Sequence, residues 1–497
     1  MTDVIIVGGG PVGLLLACEL KLTGAEPLVL EAATGEERRT RSLGMRSINA
    51  RSVQSLALRG LVEPLAEAQW ALFEELAAQR DPGEGDVVAM MVGLLKEGRV
   101  RGHFSGLPLF DEEGRAECLI LKQHLLENVL AERAATLGVP IRQSCEVTDV
   151  SQDESGVVAT LADGRTVHAK YLVGCDGGRS LVRKRSGFTF SGTPPTMTGR
   201  TAVAELADPK AIVSSLRNPG GLVNLSLVPG EIATIEFDTA PGDRQAPVTA
   251  TELQASLRRV TGLDVVVTRL DTGIRYSDNT RHVDTYRKDR ILLAGDAAHV
   301  HSPIGGQGLN LGLQDAFNLG WKLALVARGL APETLLDTYT AERHPVAARV
   351  LRNTRAQVAL MRPGPQVDAL REIISEVLAF PDAKRHFVAM ADGTDVDYAP
   401  DSADPLVGRF TPRLEPHGST ITGLLRNGGG LLLCGGPELC GGPEDVAGYR
   451  DRVHVARDVT AGDAKAMLIR PDGYVAWVGE RDGLDGALAT WFGPASN

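Results

Sequence analysis

Cysteine is scarce and unarranged. The six cysteines, Cys18, Cys118, Cys145, Cys175, Cys434 and Cys440, form no CxxC pair and no zinc-ligand spacing. That argues against thiol redox chemistry and a structural zinc. The simplest reading is a reduced cytoplasmic protein with unpaired thiols, Cys434 and Cys440 being the two that could close on each other. Positive charge is also short: 52 basic against 63 acidic residues gives a net charge of −11. Nucleic acid is therefore disfavoured as a partner, since phosphate binding needs a basic surface; a local basic pocket such as Arg179 to Arg185 remains compatible. Val4 to Leu20 is nearly uncharged over seventeen residues, but five of them are Gly or Pro and no basic segment precedes them. No small-residue cleavage site follows, so the stretch reads as buried core, and no membrane partner is expected. His299 and His301 are two apart, a spacing that does not converge on a metal as four apart would.

Apolar residues make up 43% and charged residues 23% of 497, ordinary globular values. The length suggests about three domains and a core that needs no disulfide or metal. Glycine is abundant. The 56 glycines cluster near Gly8, Gly177, Gly305 and Gly428 without a collagen period, which points to loops where backbone approaches something closely.

Val4-Ile5-Ile6-Val7 reads as a strand buried on both faces. Gly8-Gly9-Gly10-Pro11-Val12-Gly13 follows, then an apolar helix from Leu14 to Leu22, then a strand from Pro27 to Leu30 closing on Glu31. Gly8, Gly10 and Gly13 fit GxGxxG: a tight turn, room for a pyrophosphate, and close helix–strand packing. The helix N-terminus would receive the phosphates. Glu31, eighteen residues past Gly13, can accept from both ribose hydroxyls, which favours FAD or NAD over NADP at this site.

Two further motifs lie far down the chain. A strand at Tyr171–Gly174 runs into Cys175-Asp176-Gly177-Gly178, with Ser180 placed to cap a helix near Leu181. A second strand from Arg290 ends in Gly295-Asp296, and Pro303-Ile-Gly-Gly-Gln-Gly-Leu-Asn310 leads into a helix with Ala316, Leu319, Leu323 and Val326 on one face. Taken singly, Asp176 could be a turn residue and Asp296 a helix cap.

Together these segments resemble the class A flavoprotein monooxygenases of the para-hydroxybenzoate hydroxylase fold, and within them the bacterial aromatic polyketide hydroxylases. Leu121-Lys122-Gln123, Tyr339-Thr-Ala-Glu-Arg-His-Pro345 and Arg470-Pro-Asp-Gly-Tyr-Val-Ala-Trp477 add to the match, which spans essentially the whole chain. The resemblance implies an α/β fold: a Rossmann-like FAD-binding domain with an inserted β-sheet substrate domain and a C-terminal thioredoxin-like domain. By the same resemblance Gly8, Gly10, Val12 and Gly13 would hold the FAD pyrophosphate, and Glu31 and Ala32 the adenosine ribose. Gln123 would contact the flavin side, Asp296 the ribitol or pyrophosphate, and Asp176 both FAD and NADPH. The loop residues Pro303, Gly306, Gly308, Leu309 and Asn310 would meet the flavin ring edge, where a helix N-terminus stabilises negative charge on the reduced ring. Either Arg41 or Arg46 would fill the place of the family's arginine near the flavin.

The FAD-binding unit is expected over 1–70, 111–187 and 277–362, the substrate unit over 71–110 and 188–276, a linker region over 363–404, and the thioredoxin-like unit over 405–497. Thr201 to Glu205, Leu222 to Val228 and Ile232 to Asp238 read as strands, with a hairpin at Pro229-Gly230. The two substrate segments should form a sheet roofing the flavin, with the substrate between sheet and ring. Arg275, Tyr276 and Arg281 precede the Gly295-Asp296 strand and are candidates to reach that pocket, the alternative being surface or domain-contact residues. Leu431 to Cys434, Ala466 to Arg470 and Tyr474 to Val478 are strand-like, in a unit expected to pack or to join copies of the chain into a homo-oligomer. No second Rossmann unit appears, so NADPH would bind transiently without a domain of its own.

The implied activity is FAD- and NADPH-dependent monooxygenation of a polycyclic aromatic polyketide, a small-molecule substrate, through a flavin C4a-hydroperoxide. The motifs do not separate this from Baeyer–Villiger oxygen insertion. A flavin-binding protein that shields an intermediate without oxygenating it is the alternative of a different class.

Overall fold

A computed structural model describes residues 2–40, 42–79, 87–111, 117–208, 212, 216–225, 228–238, 246–412, 421–434, 446–457, 466–480 and 482–496. Its centre is a six-stranded sheet. In spatial order the strands are Arg287–Lys288, Ile291–Leu293, Tyr171–Gly174, Val4–Val7, Pro27–Leu30 and Ile141–Arg142, all neighbours parallel except the first pair. The continuous apolar runs place these strands between covering layers: Val4, Ile5, Ile6, Leu172, Val173, Leu292 and Leu293 are fully buried.

The first helix spans Pro11–Leu22, three residues earlier than its apolar run suggests, because Pro11 takes the first helical position and Gly10 the cap. The helix Gln307–Ala327 is buried on every side from Asn310 to Ala327. This corrects the one-faced helix expected from Ala316, Leu319, Leu323 and Val326. The polar residues of its other face are buried in pairs: Lys322 donates to Asn318 and Glu342, and Arg470 also binds Glu342.

The second substrate segment forms a five-stranded antiparallel sheet, Leu216–Asn218, Gly221–Leu225, Glu231–Phe237, Met197–Leu206 and Val267–Ser277, backed by the helix Ala250–Thr261. The first segment does not join it. It contributes the helices Val62–Ala78 and Val87–Lys96 and a ribbon of Val100–Phe104 with Leu107–Phe110. Alternation in so short a stretch did not distinguish a separate ribbon from a sheet member. The expected linker region holds two helices, Pro365–Val377 and Pro381–Asp392, each opened by proline. Pro365 and Pro381 take the first helical position, which needs no N–H.

The C-terminal unit has four strands in the order Val453–Arg457, Gly430–Cys434, Ala466–Ile469 and Val475–Gly479, the first pair parallel and the rest antiparallel, then the helix Leu484–Phe492. This is a thioredoxin-like arrangement. It is fastened to the main body by Arg59, which donates to Glu19, Leu425 O and Pro471 O, and by Trp321, which packs on Trp491 and Phe492. Cys18, Cys118, Cys145 and Cys175 are free thiols. Cys434 is disulfide-bonded, which corrects the expectation of an unpaired thiol there; Cys440 lies outside the described residues. Among the described residues no helix is long and apolar enough to cross a membrane, and no cluster of His, Cys, Asp and Glu could hold a metal.

Candidate active site

Parallel strands deliver their following residues to one edge. Val7 is in register with both Leu30 and Gly174, and Gly174 with Leu293. The residues next in sequence, Gly8, Glu31, Cys175-Asp176 and Ala294 to Asp296, therefore lie side by side at the carboxyl ends, where open α/β sheets bind ligands. A cavity of about 900 Å³ opens there, at the upper end of the usual ~300–1,000 Å³ for ligand sites.

Of the expected cofactor residues, Gly8, Gly10, Val12, Glu31, Ala32, Arg46, Gln123, Asp176, Asp296, Pro303, Gly306, Gly308 and Leu309 line this cavity. Gly13 lies beneath it: a Cβ there would stand 2.0 Å from the Gly8 carbonyl oxygen, so its place is in close helix–strand packing. Asn310 lines a second cavity instead. Its amide is spent on the chain, donating to Ser47 O and Gly306 O and accepting from Asn49 N–H. Arg41 lies outside the described residues.

The carboxylates are held for specific tasks. Glu31 accepts from the N–H groups of Gly9 at 2.6 Å and Ala33 at 2.9 Å, which fixes it at the strand end. Asp176 Oδ2 caps the helix Leu181–Arg185 through the Leu181 and Val182 N–H groups, assisted by Ser180. Asp176 Oδ1 is buried with no hydrogen-bond partner among the described residues. Both readings of Asp176, turn residue and ligand contact, thus fall on one side chain with two oxygens. Asp296 is exposed in a 3₁₀ turn whose flanking residues are buried. Arg46 donates to Ser42 Oγ at 2.7 Å and Leu43 O at 3.1 Å, and burial pulls its guanidinium below the usual value while Glu231, Tyr276 and Asp296 pull it back. Gln123 accepts from Ser42 and donates to Glu127.

These features suit FAD. Carboxylate acceptors match the hydroxyls of ribose and ribitol, and the uncapped start of the helix Pro11–Leu22 matches a pyrophosphate. The unpartnered Asp176 Oδ1 is an acceptor awaiting a donor.

The second cavity, about 570 Å³, adjoins the first. Met45, Ser47, Pro303 and Gly306 line both. Gly305 and Gly306 have φ of +90° and +65°, left-handed conformations that let the loop turn sharply into the helix Gln307–Ala327 between the cavities. The roof sheet contributes Leu222, Val223, Ala233, Ile235 and Tyr276. Burial raises the Tyr276 phenol above its usual value, so it stays protonated. Arg275 does not reach the cavity, which corrects that expectation. Successive strand residues face opposite ways, and Arg275 turns to the backing helix, where it pairs with Glu252 and donates to Ala246 O and Pro247 O. Arg281 is exposed and donates to Phe190 O.

Two histidines carry more than their spacing suggested. His301 lines the first cavity; its Nδ1 donates to Ser302 O at 2.7 Å, and its buried Nε2 has no hydrogen-bond partner among the described residues. His299 is fully buried with Nε2 at 2.7 Å from Asp315 Oδ2. Asp315 also accepts from Gly295 N–H at 3.0 Å and from Arg343 Nε at 2.8 Å. It ties the turn that presents Asp296 to the central helix.

A family model described as an FAD binding domain matches residues 1–354, and one described as aromatic-ring hydroxylase, C-terminal, matches residues 404–495. The chain belongs to the class A flavoprotein aromatic hydroxylases. It is 40% identical to a rifampicin monooxygenase of Streptomyces venezuelae over the whole of both chains, and 37% identical to a dialkyldecalin synthase of Streptomyces rugosporus, again over the whole of both. Among solved structures it resembles the anhydrotetracycline hydroxylase OxyS of Streptomyces rimosus, with a TM-score of 0.83, 36% identity and 99% of each chain covered. These matches support an FAD-dependent monooxygenase.

Proposed function

We propose that this flavoprotein hydroxylates a polycyclic aromatic polyketide, with NADPH as reductant and O₂ as co-substrate. The observation that carries the reading is the shared wall: the crevice at the carboxyl ends of the parallel strands and a chamber walled in part by apolar side chains meet at Met45, Ser47, Pro303 and Gly306. Relatives named for oxidation of rifampicin and anhydrotetracycline support the substrate class. Gly8, Gly10 and Val12 hold the FAD pyrophosphate over the first helix, with Gly13 packed beneath, and Glu31 and Ala32 the adenosine ribose. Asp176 and Asp296 take the central part, and Gln123 and Arg46 the flavin side. FAD, when bound, supplies the electron transfer and the oxygen activation.

The protein's own contribution is placement and exclusion. Backbone N–H groups of Gly308 and Leu309, at the start of a 21-residue helix, meet negative charge at the shared wall. Leu222, Val223, Ala233 and Ile235 keep water from the reacting atoms. The protonated Tyr276 is available as a donor to a ring substituent. Residues 1–70, 111–187 and 277–362 form the cofactor unit in this reading, and NADPH docks transiently at its surface.

The test is a purified yellow protein whose NADPH oxidation rises when a polycyclic phenol is added, with a product heavier by one oxygen. A lactone product redirects the reading to Baeyer–Villiger insertion. Full flavin loading without NADPH consumption for any aromatic would favour a non-oxygenating role, a reading that the likeness to a dialkyldecalin synthase keeps in play.

A further inference from the structure

The chamber has an unbalanced charge. Arg101, Arg217 and Arg371 line it, with His103, and no Asp or Glu among the described residues does. The three guanidiniums differ in how they are neutralised. Arg101 is matched by Asp111 and by Asp392, the latter at 3.2 Å. Arg217 pairs with Asp368 and donates to the carbonyls of Met361 and Arg362. Arg371 donates only to backbone carbonyls, Ser105 O at 2.7 Å and Leu360 O at 2.9 Å, and forms no ion pair among the described residues.

Arg217 and Arg371 come from different elements, the edge strand of the roof and the helix Pro365–Val377. They converge on the carbonyls of Leu360, Met361 and Arg362 at the end of the helix Asp337–Met361, so backbone holds both in place. One carboxylate, Asp368, stands near the two of them. Partial burial and the neighbouring Arg217 press the Arg371 guanidinium below its usual value, with Asp368 pulling the other way. The rest of the chamber wall is mostly apolar. Asp368 is one carboxylate near two guanidiniums, so a neutral hydrocarbon ligand would leave the pair in net excess of positive charge, whereas a carboxylate would balance it with charge-assisted hydrogen bonds.

We infer that the chamber takes an acidic aromatic substrate, one carrying a carboxylate or a similarly acidic group that Arg371 receives with Arg217 beside it. This deepens the proposed function and rests on it, since the chamber is read there as the substrate site.

The test uses the FAD-loaded enzyme and two probes, a hydroxyanthraquinone carboxylic acid and its methyl ester, titrated by quenching of protein fluorescence. Flavin content is read from the visible spectrum first; a colourless protein would count against the proposed function itself. With flavin present, the acid should bind at least about tenfold more tightly than the ester, the scale of a charge-assisted hydrogen bond. Raising salt from 50 to 500 mM should shrink that preference and leave the ester unchanged. R371Q should remove most of the preference and R371K should keep part of it. Equal binding of acid and ester to the native enzyme overturns the inference, and so does a preference that persists in R371Q or is indifferent to salt. The native-enzyme comparison decides the matter even where R371Q loosens the Ser105 and Leu360 contacts and fails to fold.

Discussion

The two cavities share a wall but are built by opposite means. The crevice is made of backbone: four parallel strands in register end together, and glycines let the chain turn away at once. The chamber is made largely of side chains, contributed by an antiparallel sheet, a ribbon and a helix. A backbone-built site fails when a Cβ is added; a side-chain-built site changes preference while the fold persists. The crevice should therefore be brittle and the chamber adjustable.

Four expected outcomes would sharpen or break that contrast. The largest effect is expected below the crevice. D315A leaves Arg343 and His299 buried without their carboxylate, and should cost about 3–5 kcal/mol in urea unfolding, the range for breaking a buried pair, with loss of bound flavin. Next, G13A drives a methyl into the Gly8 carbonyl and should cost about 3 kcal/mol, read as a lowered Tm and a weakly coloured protein. If G13A were fully stable and yellow, the account of the crevice as close-packed backbone would be wrong.

The remaining two concern the roof. Hydrogen bonds from Arg275 hold the Glu252 carboxyl at about 2 against the opposing pull of burial, with Arg200 assisting. The folded value lies below the unfolded one near 4.5, so this stabilisation is complete above about pH 4.5 and fades as the pH falls towards 2. It should amount to about 1–2 kcal/mol, reduced because solvent reaches the pair. R275Q should flatten the acid limb of a stability-against-pH curve and leave affinity for an aromatic ligand within twofold. A large drop in affinity would mean that Arg275 faces the chamber after all. The smallest effect is expected from Y276F, which should cost about 1 kcal/mol or less in stability, leave flavin content unchanged, and alter NADPH oxidation with phenolic substrates.

The same contrast explains what could be read from the chain. GxGxxG with Glu31, Asp176-Gly177 and Gly295-Asp296 was legible because a tight turn at a strand end demands particular residues at particular spacing. The roof was legible as strands, yet which face each residue occupied was not. Arg275 and Tyr276 are adjacent pocket candidates in the sequence, and one step along a strand sends them to opposite sides. Arg101, Arg217 and Arg371 meet only because a ribbon, an edge strand and a helix far apart in sequence fold together, and no local pattern marks such a meeting. Asp315 was hidden inside a helix that read as one-sided. Asn310 belonged to a loop motif that points to the flavin, but its side chain serves the loop itself. His301 belongs to a pair whose spacing speaks only to metal binding.

One consequence follows from the way the last hundred residues sit on the rest. Trp321 and Glu342 belong to the cofactor half, yet their surroundings, Trp491, Phe492 and Arg470, come from the tail. A stop codon after the two proline-opened helices would strip the cover from the far end of the rod whose near end forms the wall between the cavities. The two stretches matched by separate family models are thus one folding commitment, and the tail acts as a keel for a site that none of its described residues lines.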